Sequence, residues 1–139
     1  MARILVIEDD PASMKLTTMV LENAGHTVLC AIDAETGLTL ALRDHPDLIV
    51  MDFMLPGMDG LTATALLKTD PATAAIPIII LSAILTRDDE KNARAAGCDA
   101  YMAKPFRRQE LQVAIADLLH ASIDALLLKS GLPPATEEP

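Results

Sequence analysis

Carboxylates, a hydroxyl and an ammonium recur in one setting along this chain, each directly after a run of strand-forming apolar residues. "RILVI" leads into Glu8, Asp9 and Asp10, and "DLIVM" into Asp52. "IPIIIL" leads into Ser82 and Ala83, and "DAYMA" into Lys104 and Pro105. Asp10, just before Pro11, reads as a helix cap, which leaves Glu8, Asp9 and Asp52 as the acids free for chemistry. Carboxylates gathered at one place repel, and burying them is costly unless a cation neutralises them. A ligand set of oxygens, with neither His nor Cys in it, favours a hard ion such as Mg²⁺. One carboxylate then serves as nucleophile towards a phosphoryl group, while the metal and Lys104 stabilise the developing charge. The Ser82 hydroxyl would hydrogen-bond a phosphoryl oxygen, and the small side chain of Ala83 leaves that phosphate room.

This chemistry requires that residues up to about a hundred positions apart meet, so the elements between them matter. Apolar, β-branched runs occur at 3–7, 27–32, 47–51, 76–81 and 99–103. Those at 3–7, 47–51 and 76–81 are continuously apolar, as strands covered on both faces tend to be. Helical spacing fills the gaps, at about 11–24, 34–43, 61–68 and 87–96, and from about Arg107 onward. In the first helix Asp10 is the N-cap, Pro11 takes the first helical position and Gly25 the C′ position. Leu16, Met19, Val20 and Ala24 are expected to form its inward stripe. Five strand–helix repeats predict an α/β fold with a parallel sheet covered on both faces. In such sheets reactive groups collect at the carboxyl ends of the strands, which is where the polar residues above fall.

Composition narrows the classes. The 139 residues suit one domain. Acids outnumber bases 20 to 11, a net charge of −9. Direct binding to nucleic acid or an anionic membrane needs clustered Lys and Arg, and is therefore not expected. No apolar run approaches the ~18 residues of a membrane span, and "MARILVIEDD" is not a signal peptide. Cys30 and Cys98 have no metal-ligand spacing and read as small buried hydrophobes in a reducing cytosol. A cytoplasmic location is the expectation.

The segments "ILVIEDD", "LIVMDFMLPGMDG", "PIIILSA" and "AGCDAYMAKPF", in that order and spacing, resemble the receiver domain of two-component response regulators. The resemblance covers residues 2–121 and leaves 122–139 as an extension of the last helix and a Pro-rich tail. It implies a flavodoxin-like (βα)5 doubly wound sheet of strand order 2-1-3-4-5. It also implies that Asp52 accepts a phosphoryl group from a histidine kinase or phosphotransfer protein in a phosphorelay. By the same resemblance Glu8, Asp9, Asp52 and the main-chain carbonyl of Met54 hold Mg²⁺. Ser82, Ala83 and Lys104 sense the phosphoryl group, Ser82 and Tyr101 form the switch, and the Lys104–Pro105 peptide is cis. Phosphorylation would bias the face made by the fourth helix, fifth strand and fifth helix, which a downstream effector protein reads. Such a protein is no enzyme beyond its own phosphorylation and dephosphorylation.

Met54 and Ile84 flank the expected path of hydrolytic water, and neither side chain orients it. Slow self-dephosphorylation is expected. The last helix runs beyond what the domain requires, with Ile123, Leu126 and Leu127 continuing its apolar stripe. This suggests a partner contact or a homodimer, unless the helix end packs back on its own domain. "LPPATEEP" reads as a tail or the start of a linker. A single-domain regulator and a receiver from a longer regulator or hybrid kinase both fit. Among rivals, a haloacid-dehalogenase-type phosphatase needs an aspartate where Met54 stands. A flavodoxin-like electron carrier needs a hydroxyl-rich loop and aromatics where "EDDPAS" stands. A docking module independent of phosphorylation would not need the full set of acids, hydroxyl and lysine.

Overall fold

The computed structural model of the protein describes residues 2–83 and 86–131. Five strands and five helices alternate: β1 (Arg3–Ile7), α1 (Pro11–Asn23), β2 (Thr27–Ala31), α2 (Ala34–Asp44), β3 (Leu48–Asp52), α3 (Gly60–Thr69), β4 (Ile78–Ser82), α4 (Arg87–Ala96), β5 (Ala100–Ala103) and α5 (Arg108–Lys129). The strands form one sheet in the order β2-β1-β3-β4-β5, and every pairing is parallel. The parallel sheet is the one that the strand–helix alternation predicts, and its order is the flavodoxin-like one that the family resemblance implies.

The period-two geometry of a strand divides the apolar side chains between two faces. Leu5, Ile7, Ile49, Met51, Ile78 and Ile80 point to the side covered by α2, α3 and α4. Ile4, Val6, Leu48, Val50, Ile79 and Leu81 point to the side covered by α1 and α5. Because both faces are dry, the central strands read as unbroken apolar runs. The chain reverses its direction of winding between β1 and β3, so their carboxyl ends flank the crevice where such sheets bind ligands.

Helix ends follow their side chains. Asp10, Asp33 and Asp59 each cap a helix by accepting from a main-chain N–H three residues on, and Thr86 does the same for α4. At the end of α1, Gly25 adopts φ +90°, and His26 N–H donates to the Leu21 carbonyl at 3.1 Å.

The inward stripe of α1 differs from the expected one. Thr17, Val20 and Leu21 are buried, whereas Leu16 and Met19 are about half exposed and Ala24 is exposed. The buried stripe includes Thr17, a polar residue that an apolar pattern does not pick out. Cys98 is buried as expected, but Cys30 is exposed, because β2 is an edge strand. α5 is the one helix among the described residues long and apolar enough to match a membrane span. Its first half is committed to the sheet, with Leu111 and Ile115 fully buried. Its second half leaves Ile123, Leu126 and Leu128 exposed, and Leu127 is partly covered.

Candidate functional site

The ladder continues one residue past the strands at the carboxyl edge of the sheet. Glu8 N–H donates to the Ala31 carbonyl at 2.9 Å, Phe53 N–H to Leu81 at 2.8 Å and Lys104 N–H to Ser82 at 2.8 Å. These bonds hold the ends of β1, β3 and β5 as rigid mounts for the polar residues that follow.

Ligand oxygens of Glu8, Asp9 and Asp52 lie within 4.8 Å of one another. Glu8 is buried, Asp9 exposed, and the Asp52 side chain only 12% exposed. Lys104 reaches into this group, and its Nζ pairs closely with Glu8 Oε1 and lies 3.3 Å from Asp52 Oδ1. The other oxygen of Glu8 accepts from the Asp10 N–H at 3.2 Å. Asp10 itself turns away to cap α1, accepting from Ser13 N–H at 2.8 Å, and that hydrogen bond holds its carboxyl below the usual range.

Charge in this crevice is unbalanced. Burial, followed by the neighbouring Glu8 charge, pushes the Asp52 carboxyl up to about 6, and Lys104 offsets only part of that rise. Burial also opposes the Lys104 ammonium, but its pairing with Glu8 and Asp52 outweighs burial and raises its pKa. Three carboxylates against one ammonium leave an excess of negative charge with oxygen-only donors. That set fits a small hard dication.

The other candidate residues surround this cluster. Ser82 is the last residue of β4 and buried, and Ala83 follows it exposed. The Lys104–Pro105 peptide is cis. Met54 lies in the loop between β3 and α3, 61% exposed. Ile84 and the 132–139 tail lie outside the described residues. Tyr101, on β5, is buried, and its ring meets Phe53 edge to face, centroids 6.2 Å apart and planes at 89°.

Sequence reasoning missed three features. Lys104 was assigned to the phosphoryl group alone, yet its partners here are acids. Phe53 was passed over, although one of only two phenylalanines standing next to Asp52 was a signal. An apolar groove of about 280 Å³ opens beside the site, lined by Ser13, Leu16, Thr17, Ala83, Lys104, Pro105 and Phe106. Leu16, which is exposed instead of facing inward as expected, forms part of its wall.

A family model described as response regulator receiver domain matches residues 4–116. The chain is 41% identical over 119 residues to the DNA-binding dual master transcriptional regulator RpaA of Synechocystis, covering 86% of this chain and 49% of that protein. It thus spans about half the length of that relative. It is 37% identical over 119 residues to protein PilH of Pseudomonas aeruginosa, covering 86% of this chain and 98% of PilH. Among solved structures, the receiver domain of sensor histidine kinase PA1611 from P. aeruginosa superposes with a TM-score of 0.80 at 33% identity. That match covers 85% of this chain and 97% of that one, whose active-site cleft coordinates a magnesium ion.

Proposed function

The chain belongs to the response regulator receiver domain family, and from that premise we propose that Asp52 is the phosphoacceptor of a Mg²⁺-dependent phosphorelay protein. The observation that carries this reading is the contact of one ammonium, Lys104, with both Glu8 and Asp52 inside a group of three carboxylates. A structural ion pair needs one acid for one base. Three acids around one lysine at a strand-end crevice suit a site built to take up further positive charge and then a phosphoryl group.

In this reading an Asp52 carboxylate oxygen attacks the phosphorus of a phosphohistidine on the donor protein. The new P–O bond forms as the P–N bond breaks, and the imidazole leaves. Glu8, Asp9, Asp52 and the main-chain carbonyl of Met54 would hold Mg²⁺, which supplies neutralisation of the charge on the transferring group. Lys104 exchanges its contact with Asp52 for a phosphoryl oxygen. Ser82 donates its hydroxyl to another, Ala83 leaves the approach open, and Tyr101 follows Ser82 as the second part of the switch.

The partner is a histidine kinase or phosphotransfer protein. The groove beside Lys104, with exposed Leu16 and Met19 on α1, supports its docking there. The output face is α4, β5 and α5. In α4 only Ala93 is buried, so this helix is the one most cheaply moved. Exposed Ile123, Leu126 and Leu128 support a protein contact or self-association at the end of α5. We read the protein as cytoplasmic and as a regulator acting alone. PilH, matched over nearly its whole length, favours that form; the twofold longer RpaA relative favours a receiver within a larger regulator.

Intact mass after incubation with acetyl phosphate and Mg²⁺ tests the proposal. The wild type should gain one phosphoryl group, while Asp52→Asn and an EDTA-treated sample gain none. No gain from acetyl phosphate or from a phosphorylated histidine kinase would leave docking without phosphorylation as the function.

A further inference from the structure

Gly60, the first residue of α3, stands against the main chain that follows Asp52. A Cβ there would lie 2.6 Å from the Asp52 carbonyl oxygen, 3.1 Å from that of Phe53 and 3.2 Å from the Phe53 Cα. All three are backbone atoms, so no flexible side chain could yield. Gly60 does not have the positive φ seen at Gly25, Gly57, Gly97 and Gly131. It is needed for its lack of a side chain and not for backbone freedom.

The close approach is fastened from both sides. Gly60 N–H donates to the Phe53 carbonyl at 3.0 Å, closing the 53–59 loop on itself. The buried Thr64 hydroxyl donates to the Gly60 carbonyl at 2.7 Å, and Asp59 accepts from Thr62 N–H at 2.8 Å. Behind these, Ala63, Thr64 and Leu67 are buried. The helix cannot step back without opening the core, so a methyl group at position 60 must push the end of β3 by several tenths of an ångström.

We infer that Gly60 is a positioning residue for cation capture: its bare Cα lets the Asp52–Met54 main chain sit where the Asp52 carboxylate joins Glu8 and Asp9. This rests on the reading of that cluster as a divalent cation site. Metal sites tolerate little displacement, and loss of supporting contacts typically lowers affinity by one to two orders of magnitude, about 10–100-fold.

The test is Mn²⁺ binding, followed by electron paramagnetic resonance of the free ion, for wild type, Gly60→Ala and Gly37→Ala. Gly37, buried in α2 on the same side of the sheet as α3, is a matched control. The nearest atoms to a Cβ there would belong to the flexible Ile7 side chain, at 2.4 Å. Its alanine variant should lose stability and keep wild-type affinity. Gly60→Ala should retain the helical circular dichroism of the fold and bind Mn²⁺ at least about 10-fold more weakly. If Gly60→Ala does not fold in plain buffer, all three proteins are compared in a stabilising osmolyte. Wild-type affinity in Gly60→Ala, or an equal loss in Gly37→Ala, overturns the inference. Absence of binding by the wild type itself would overturn the cation site and this role together.

Discussion

Phe53 and Tyr101 meet edge to face across the end of the sheet, with ring planes at 89°. The contact joins the residue beside Asp52 to an aromatic on the proposed output face. Tyr101 is the only tyrosine and the chain has no tryptophan, so intrinsic fluorescence reports this one site. Phe53→Ala should increase acrylamide quenching of Tyr101, as its ring loses the surface that holds it inward. A paired ring contact of this kind contributes about 0.5–1.5 kcal/mol beyond burial. Equal quenching in both proteins would show that Tyr101 is held by other contacts.

Asp52 titrates upward, to about 6, when no divalent cation is bound. A carboxyl with a raised folded pKa favours the native state at low pH, and that contribution fades as pH rises through about 6. At neutral pH the charged Asp52 therefore weakens the fold. Asp52→Asn should raise the melting temperature at pH 7.5 in EDTA, worth about 1–3 kcal/mol, with the difference vanishing below pH 4. Saturating Mg²⁺ should shrink the gap by stabilising the wild type alone. Thermal melts across pH, with and without Mg²⁺, check all three statements.

Lys104→Met should be strongly destabilising, by about 3 kcal/mol, because it leaves the buried Glu8 carboxylate without its ammonium. Adding Glu8→Gln should recover most of that loss, as the charge requiring a partner is gone. Denaturant melts of the two single variants and the double variant form the cycle. Additive losses would mean that the pair is not coupled.

Met54 is 61% exposed beside the proposed acceptor and its thioether is a poor partner for orienting a water. Met54→Gln should shorten the half-life of phosphorylated protein several-fold, read by the decay of intact mass after donor removal. The same substitution at Ile84 should act in the same direction. Unchanged half-lives in both variants would remove side-chain control of hydrolysis from the account.

The strands and the residues at their ends were legible because dry central strands carry unbroken apolar runs that stop abruptly at Glu8, Asp52 and Ser82, whereas the sheet order came only with the family resemblance. The start of α1 was legible at Asp10 because a cap is a local bond between near neighbours. The rotation of α1 was not: Leu16 and Met19 are as apolar as Val20 and Leu21, and the buried choice is made by distant strands. Likewise the Lys104–Glu8 pairing spans 96 positions and depends on the side-chain reach of both partners. The crowding at Gly60 is a distance between backbone atoms, to which residue type alone gives no access.

The sheet separates two side-chain clusters, one under α1 and α5 and the other under α2, α3 and α4. Mutations on either side are thus buffered from the other by a layer of backbone. Core substitutions in one cluster can therefore accumulate without compensating changes in the other.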